Sequence, residues 1–291
     1  MSSQYPPPLI IPPLQSHKQS LILLHGRGST GADFGLEFLK STTTASQALP
    51  ELFPHMQFIF PTAKKRRARA YNRATIHQWF DNVPLDEQVK RGGCTREEEE
   101  WQIDGLRESR AFLQEIVEKE VEAVGARNVF IGGLSQGCAM SLHLLLSYDE
   151  DAPLGGFVGM SGWLPFVDEI EEVAQARQSR EDDLFDFPDE QSEAEASAAT
   201  EVCNFVRHNI DLPSIRKAAI FPGTPAFLGH GHSDDRVTIS RGRKAANCLR
   251  ELGVDVTWKE YDEGHWYKVP DEIDDIAAFL SGQIGDPEIR S

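Results

Sequence analysis

Apolar and polar positions along this chain alternate between two periods. Ser20 to Leu24 is a short apolar run that stops at the glycine-rich turn His25-Gly26-Arg27-Gly28, the pattern of a buried strand. Met56 to Phe60, closed by Pro61, predicts a second strand and Asn128 to Gly132 a third. Leu154 to Met160 and Pro225 to Gly229 are strand-like, and Val254 to Tyr261 alternates with period two. Helical stretches lie between them. Ile103 to Val124 sets Leu106, Leu113, Val117, Val121 and Val124 among charges, an amphipathic helix. Cys138 to Leu146 predicts a largely buried helix, and Val237 to Leu252 and Pro270 to Leu280 read as two more. Strands alternating with helices imply one α/β domain over 1–291, with a mainly parallel central sheet and helices on both faces. Active sites on such sheets gather at the carboxyl ends of the strands.

Two stretches break the alternation. Glu181 to Glu201 holds nine acidic residues and no basic one, with Pro188 and the small-residue run Ala194 to Ala199. It reads as a solvated, mobile insertion, with a lid or docking element as the alternative. Asp81 to Glu100 ends in four consecutive glutamates, a charged surface leading into the Ile103 helix.

Charge narrows the partners. Lys plus Arg number 29 against 46 Asp plus Glu, a net charge of −17. A field of that sign disfavours nucleic acid and repels an anionic membrane surface. No apolar run is long enough to span a bilayer, so no stable membrane insertion is expected. The segment Met1 to Ser20, with five prolines, lacks the basic start and apolar run of a signal peptide. Cys94, Cys138, Cys203 and Cys248 are not spaced as metal ligands and are too few for a disulfide scaffold. The expectation is a metal-free cytoplasmic protein with reduced thiols, nuclear access being left open.

The candidate chemistry centres on Gly133-Leu134-Ser135-Gln136-Gly137. A serine hydroxyl is a poor nucleophile until a base takes its proton. Presenting it on a sharp strand-to-helix turn demands small flanking residues, and here a strand precedes the motif and a helix follows. The alternative is an ordinary helix-capping serine on a glycine-rich turn. A base is expected late in the chain, and His265 follows the Val254–Tyr261 strand in a glycine-containing loop. An orienting acid is expected between them. Asp234 follows the Pro225–Gly229 strand, with Asp235 beside it, and spacing alone does not separate the two. The order Ser…Asp…His is that of a serine nucleophile on a sheet of this kind. Acyl transfer also needs amide donors for the developing oxyanion. The N–H of Gln136 is one, and the N–H of Arg27, between two glycines, is the candidate for the second. His25 is assigned a structural role, since chain order places the base later.

These residues carry a resemblance. Leu21 to Gly28, Trp79-Phe80-Asp81, Ile131 to Gly137, Ser161-Gly162-Trp163-Leu164-Pro165, His230 to Asp234 and Gly264-His265 together resemble the acyl-protein thioesterase / carboxylesterase family, also called phospholipase/carboxylesterase. The likeness runs from about Ser20 to about Leu280, interrupted by the acidic segment. It implies an α/β-hydrolase fold without cofactor or metal, acting on an ester or thioester substrate. Acylated proteins, lysophospholipids and small carboxylic esters are the candidates. It places the acid on Asp234 and the oxyanion donors on Arg27 and Gln136. The chain departs from the family at Arg27, where an apolar residue is usual, at Ser29, and at the basic run Lys64 to Arg69. That run is either a solvated loop or a nuclear-import-like patch without function, or else a docking patch for an anionic substrate or lipid headgroup. A specialised esterase or lactonase, or a non-catalytic binding protein on the same fold, stand as alternatives.

Overall fold

The computed structural model describes residues 4–69, 73–83, 85, 100–185 and 197–285. Its centre is a seven-stranded sheet in the order β1-β3-β2-β6-β7-β8-β9. The strands are β1 (Leu9–Ile11), β2 (Gln19–Leu24), β3 (Met56–Phe60), β6 (Val129–Leu134), β7 (Gly156–Met160), β8 (Ala226–Gly231) and β9 (Val256–Tyr261). Only β1 runs antiparallel to its neighbour, and all other pairings are parallel. Successive residues of the central strands bury into opposite layers. In β2, Ile22 and Leu24 face one layer while Leu21 and Leu23 face the other. Burial on both faces is why these strands appear in the sequence as continuous apolar runs rather than as alternations.

One layer packs helices α3 (Ile103–Val124), α4 (Gln136–Leu146) and α7 (Ile239–Glu251) on the sheet through Leu106, Leu113, Leu142 and Leu249. The other carries α1 (Gly31–Lys40) and α8 (Asp271–Ile284), with Phe34, Phe38, Ile273 and Leu280 against Phe58, Phe130 and Phe227. A short α2 (Leu49–Leu52) joins that side. α4 is buried at every position, the helix expected to lie directly behind a central strand.

The acidic segment differs from its expected boundaries. Glu181 lies inside α5 (Val167–Phe185) and Glu201 inside α6 (Ala198–His208), so both ends are helical, and 186–196 lies outside the described residues. Of Asp81 to Glu100, residues 84 and 86–99 also lie outside them. The basic run is a hairpin strand rather than a loop, with Lys65, Arg67 and Arg69 exposed to solvent. Lys65–Arg67 forms β4, paired antiparallel with β5 (Thr75–His77), and Glu108 on α3 binds both Lys64 and Arg66.

A candidate active site at the carboxyl edge of the sheet

Ser135 sits between β6 and α4 with φ of +56°, the left-handed conformation that a strand-to-helix elbow imposes on its apex. Its N–H is tied to the Met160 carbonyl at 2.8 Å, which locks the turn onto the neighbouring strand. The turn fits only because its neighbours are small. A Cβ on Gly137 would lie 2.1 Å from the Leu24 carbonyl oxygen. The backbone of β2 thus presses directly on the elbow, which brings the turn after β2 beside the serine.

His265 and Asp234 reach Ser135 from the turns after β9 and β8. The Ser233 N–H donates to the Glu263 carbonyl at 3.0 Å, joining the two loops. Gly231 permits that approach, since a Cβ there would sit 2.3 Å from the Glu263 oxygen. His265 Nδ1 lies 2.7 Å from Asp234 Oδ2, and His265 Nε2 lies 2.8 Å from Ser135 Oγ. A carboxylate only accepts, so Nδ1 carries the proton and the Nε2 lone pair faces the serine hydroxyl. Asp235, which spacing left open, is exposed, and it is Asp234 that contacts the histidine.

The Asp234 carboxylate is held on both oxygens. Oδ1 accepts from the amides of Arg236 and Val237, each at 2.9 Å. Oδ2 faces His230 Nε2 at 3.2 Å as well as His265. Burial alone would raise this carboxyl. Hydrogen bonds from His230, His265 and the Val237 amide outweigh it and hold the group well below the usual carboxylate range. The acid therefore stays ionised at neutral pH and fixes the tautomer of His265.

His230 was not singled out by the sequence reading. It is 1% exposed, and its Nε2 also lies 2.8 Å from the Val237 carbonyl. Its four-residue spacing from Asp234 was the available signal, but such spacing has meaning only once the loop geometry is known.

The other predicted residues flank the serine. A Cβ added to Gly26 would lie 3.5 Å from the Ser135 Cβ, an ordinary van der Waals contact, so the Arg27 segment runs beside the serine. The Gln136 N–H is in the first turn of α4, where amides have no partner within the helix and the dipole is positive. The Gln136 side chain has a task the sequence did not disclose. Its Oε1 accepts from the Trp79 amide at 2.9 Å, and its Nε2 donates to the Phe80 carbonyl at 2.9 Å and to Asn82 Oδ1 at 2.8 Å. It clamps the Trp79–Asn82 strip over the site. His25 is fully buried, with Nδ1 donating to the Gly26 carbonyl at 2.7 Å and Nε2 accepting from the Ala63 amide at 3.0 Å. Burial lowers it to about 4, so it is neutral and shapes the loop.

A cavity of about 670 Å³ opens over Ser135 and His265. Its walls mix Phe34, Leu85, Leu134, Trp163 and Trp266 with the charged Arg27, Asp235 and Arg236. Of the two tryptophans, Trp163 is packed at 4% exposure, and Trp266, at 40%, forms the rim. Among the described residues no group of acidic, histidine and cysteine side chains is arranged to hold a metal ion.

A family profile described as Phospholipase/Carboxylesterase matches residues 6–180. The acyl-protein thioesterase 1 of Gibberella zeae is 25% identical over 98% of this chain and 98% of its own. That of Saccharomyces cerevisiae is 25% identical over 93% of this chain and 95% of its own. In fold, the crystal structure of Zea mays acyl-protein thioesterase 2 superposes with a TM-score of 0.66 at 21% identity, covering 96% of this chain and 99% of that one. The chain belongs to the phospholipase/carboxylesterase family of α/β-hydrolases, and it is a serine hydrolase of the ester and thioester class.

Proposed function

We propose that this protein hydrolyses its ester or thioester through an acyl-enzyme on Ser135, acting as a single domain without metal or cofactor. The observation that carries this reading is the unbroken series Ser135 Oγ, His265 Nε2, His265 Nδ1 and Asp234 Oδ2, with links of 2.8 and 2.7 Å. His265 takes the serine proton as Oγ attacks the acyl carbon. The amides of Gln136 and Arg27 hold the oxyanion, aided by the positive end of α4. His265 then protonates the departing alcohol or thiol, and water, deprotonated by the same histidine, releases the acid.

The curated relatives are acyl-protein thioesterases, which supports an acylated protein as one substrate. A second reading, a specialised small ester, is favoured by the charged residues in the cavity wall. A cytoplasmic site of action fits three buried, unpaired thiols, Cys138, Cys203 and Cys248. No described helix is long and apolar enough to cross a membrane.

The test is hydrolysis of p-nitrophenyl and palmitoyl-thioester substrates by wild type and Ser135→Ala, together with fluorophosphonate labelling. Rates should fall by roughly 10⁴-fold or more in the variant, and the label should map to Ser135. Equal rates, or no adduct at Ser135, would return the chain to the class of non-catalytic hydrolase folds.

A further inference from the structure

One polar residue on the wall of the catalytic cavity has no part in the triad. Asn82 lines that cavity together with Ser135, Gln136 and His265, and is 3% exposed. It ends the Trp79–Asn82 strip, which is anchored to both segments that carry the oxyanion donors. The Trp79 indole N–H donates to the His25 carbonyl at 2.9 Å, in the loop that leads to Arg27, and the Gln136 side chain grips the strip from α4. Gly105 on α3 lets that helix press on the same strip, since a Cβ there would lie 2.4 Å from the Phe80 Cα. Asn82 therefore meets the cavity on a backbone that is held on several sides.

The same network fixes the direction of the Asn82 amide. The Trp79 N–H can only donate, so Gln136 turns its Oε1 there and its Nε2 to the Phe80 carbonyl, each at 2.9 Å. The second Nε2 proton points at Asn82 at 2.8 Å, and only an oxygen accepts it. Asn82 thus gives its Oδ1 to Gln136 and turns its NH₂ away. That NH₂ has no hydrogen-bond partner among the described residues, yet it is not sealed from solvent, so it opens on the cavity that Asn82 lines. A substrate that fills the cavity displaces water from this donor. If the substrate brings no acceptor, the donor is left unpaired at a cost; if it brings one, the bond is regained. We propose that Asn82 Nδ2 donates to an oxygen of the substrate other than the reacting carbonyl, a second carbonyl or an ether close to the scissile bond, and so selects esters and thioesters that carry one. This rests on the hydrolase reading given above. A fixed donor discriminates more sharply against a substrate that lacks its partner than an apolar wall does against one methylene.

The experiment compares kcat/KM within two pairs of thioesters of matched length, followed by thiol release and normalised to hydroxide. On the leaving-group side, the hexanoyl thioester of N-acetylcysteamine carries a carbonyl that the hexanoyl thioester of pentanethiol lacks. On the acyl side, the 3-ethoxypropanoyl thioester of pentanethiol replaces one methylene of the hexanoyl chain by an ether oxygen. Wild type should favour the acceptor-bearing member of one pair by at least about tenfold, and that pair tells which side Asn82 reads. Asn82→Asp keeps an oxygen for Gln136 Nε2 and removes the donor, so the ratio should fall to about one or below. Asn82→Leu, which adds no charge, should bring it to about one. Damage to the site from either substitution would slow both members of a pair alike and leave their ratio standing. Turnover without preference in either pair, or a preference kept in both variants, would overturn this proposal and leave the hydrolase intact. No turnover of any of them would overturn the hydrolase reading and this proposal with it.

Discussion

Replacing Asp234 by asparagine tests the site at its most constrained point. The asparagine carbonyl can occupy the place of Oδ1 and keep the amides of Arg236 and Val237, both at 2.9 Å. Its NH₂ must then replace Oδ2, which faces His265 Nδ1 at 2.7 Å and His230 Nε2 at 3.2 Å. A donor now meets two donors. His230 keeps its bond to the Val237 carbonyl at 2.8 Å, so His265 is the ring that changes tautomer. Its proton moves to Nε2, which points at Ser135 Oγ, and the lone pair that should accept the serine proton is turned away. Loss of the correct tautomer in a serine triad costs about 10⁴ in kcat, or about 5.4 kcal/mol of transition-state stabilisation. Initial rates on p-nitrophenyl butyrate would show it, with a thermal melt to establish that the variant is folded. Asp235→Asn leaves every bond to His265 in place and should cost less than about tenfold. A folded Asp234→Asn enzyme retaining more than a tenth of wild-type kcat, or an equal loss in Asp235→Asn, would refute the assignment of the acid.

Three further outcomes follow from the same geometry. His230→Ala removes a donor from the buried carboxylate and should lower kcat by roughly tenfold with little change in KM; a folded variant with wild-type kcat would show that His230 does not position Asp234. Gly137→Ala would drive a Cβ to 2.1 Å from the Leu24 oxygen, where only backbone can yield, and should cost about 3 kcal/mol in urea unfolding along with most of the activity. Burial pushes Glu272 up to about 8 from 4.5, the Lys268 amide offsetting this only in part. Between those values the carboxyl is neutral in the folded chain and ionised in the unfolded one, so stability falls as pH rises through that window. Glu272→Gln should flatten that fall, and an identical drop in Tm between pH 5 and pH 8 in both proteins would show that the carboxyl stays charged in the fold.

What could be read from the chain, and what could not, divides along physical lines. β2, β3 and β6 were legible because both of their faces are buried, so apolar residues run almost unbroken through them, Gln19, Ser20 and Gln57 being the polar exceptions. α3 was legible because one face is buried and the other solvated. α1 was not, since Gly31 and Gly35 weaken its helical signal. Its stability comes from packing, with Gly35 so close to Phe60 that an added Cβ would lie 2.5 Å from the ring. The β4–β5 hairpin was hidden for the opposite reason. Its strand Lys65–Arg67 has no apolar residue, and the flanking order comes from Glu108 and from Tyr5, whose hydroxyl accepts from Arg66 at 3.1 Å. The site shows the same division. Ser135, Asp234 and His265 are named by motifs that demand a particular local backbone, and local backbone is what a motif encodes. His230 and the Gln136 side chain act on residues that only the folded chain brings near them. Arg27 could be seen as a departure within its own loop, but the sequence places Arg236 more than two hundred positions away. The cavity wall over Ser135 is assembled from several loops that no single segment specifies, which is why substrate choice was the least legible property of the chain.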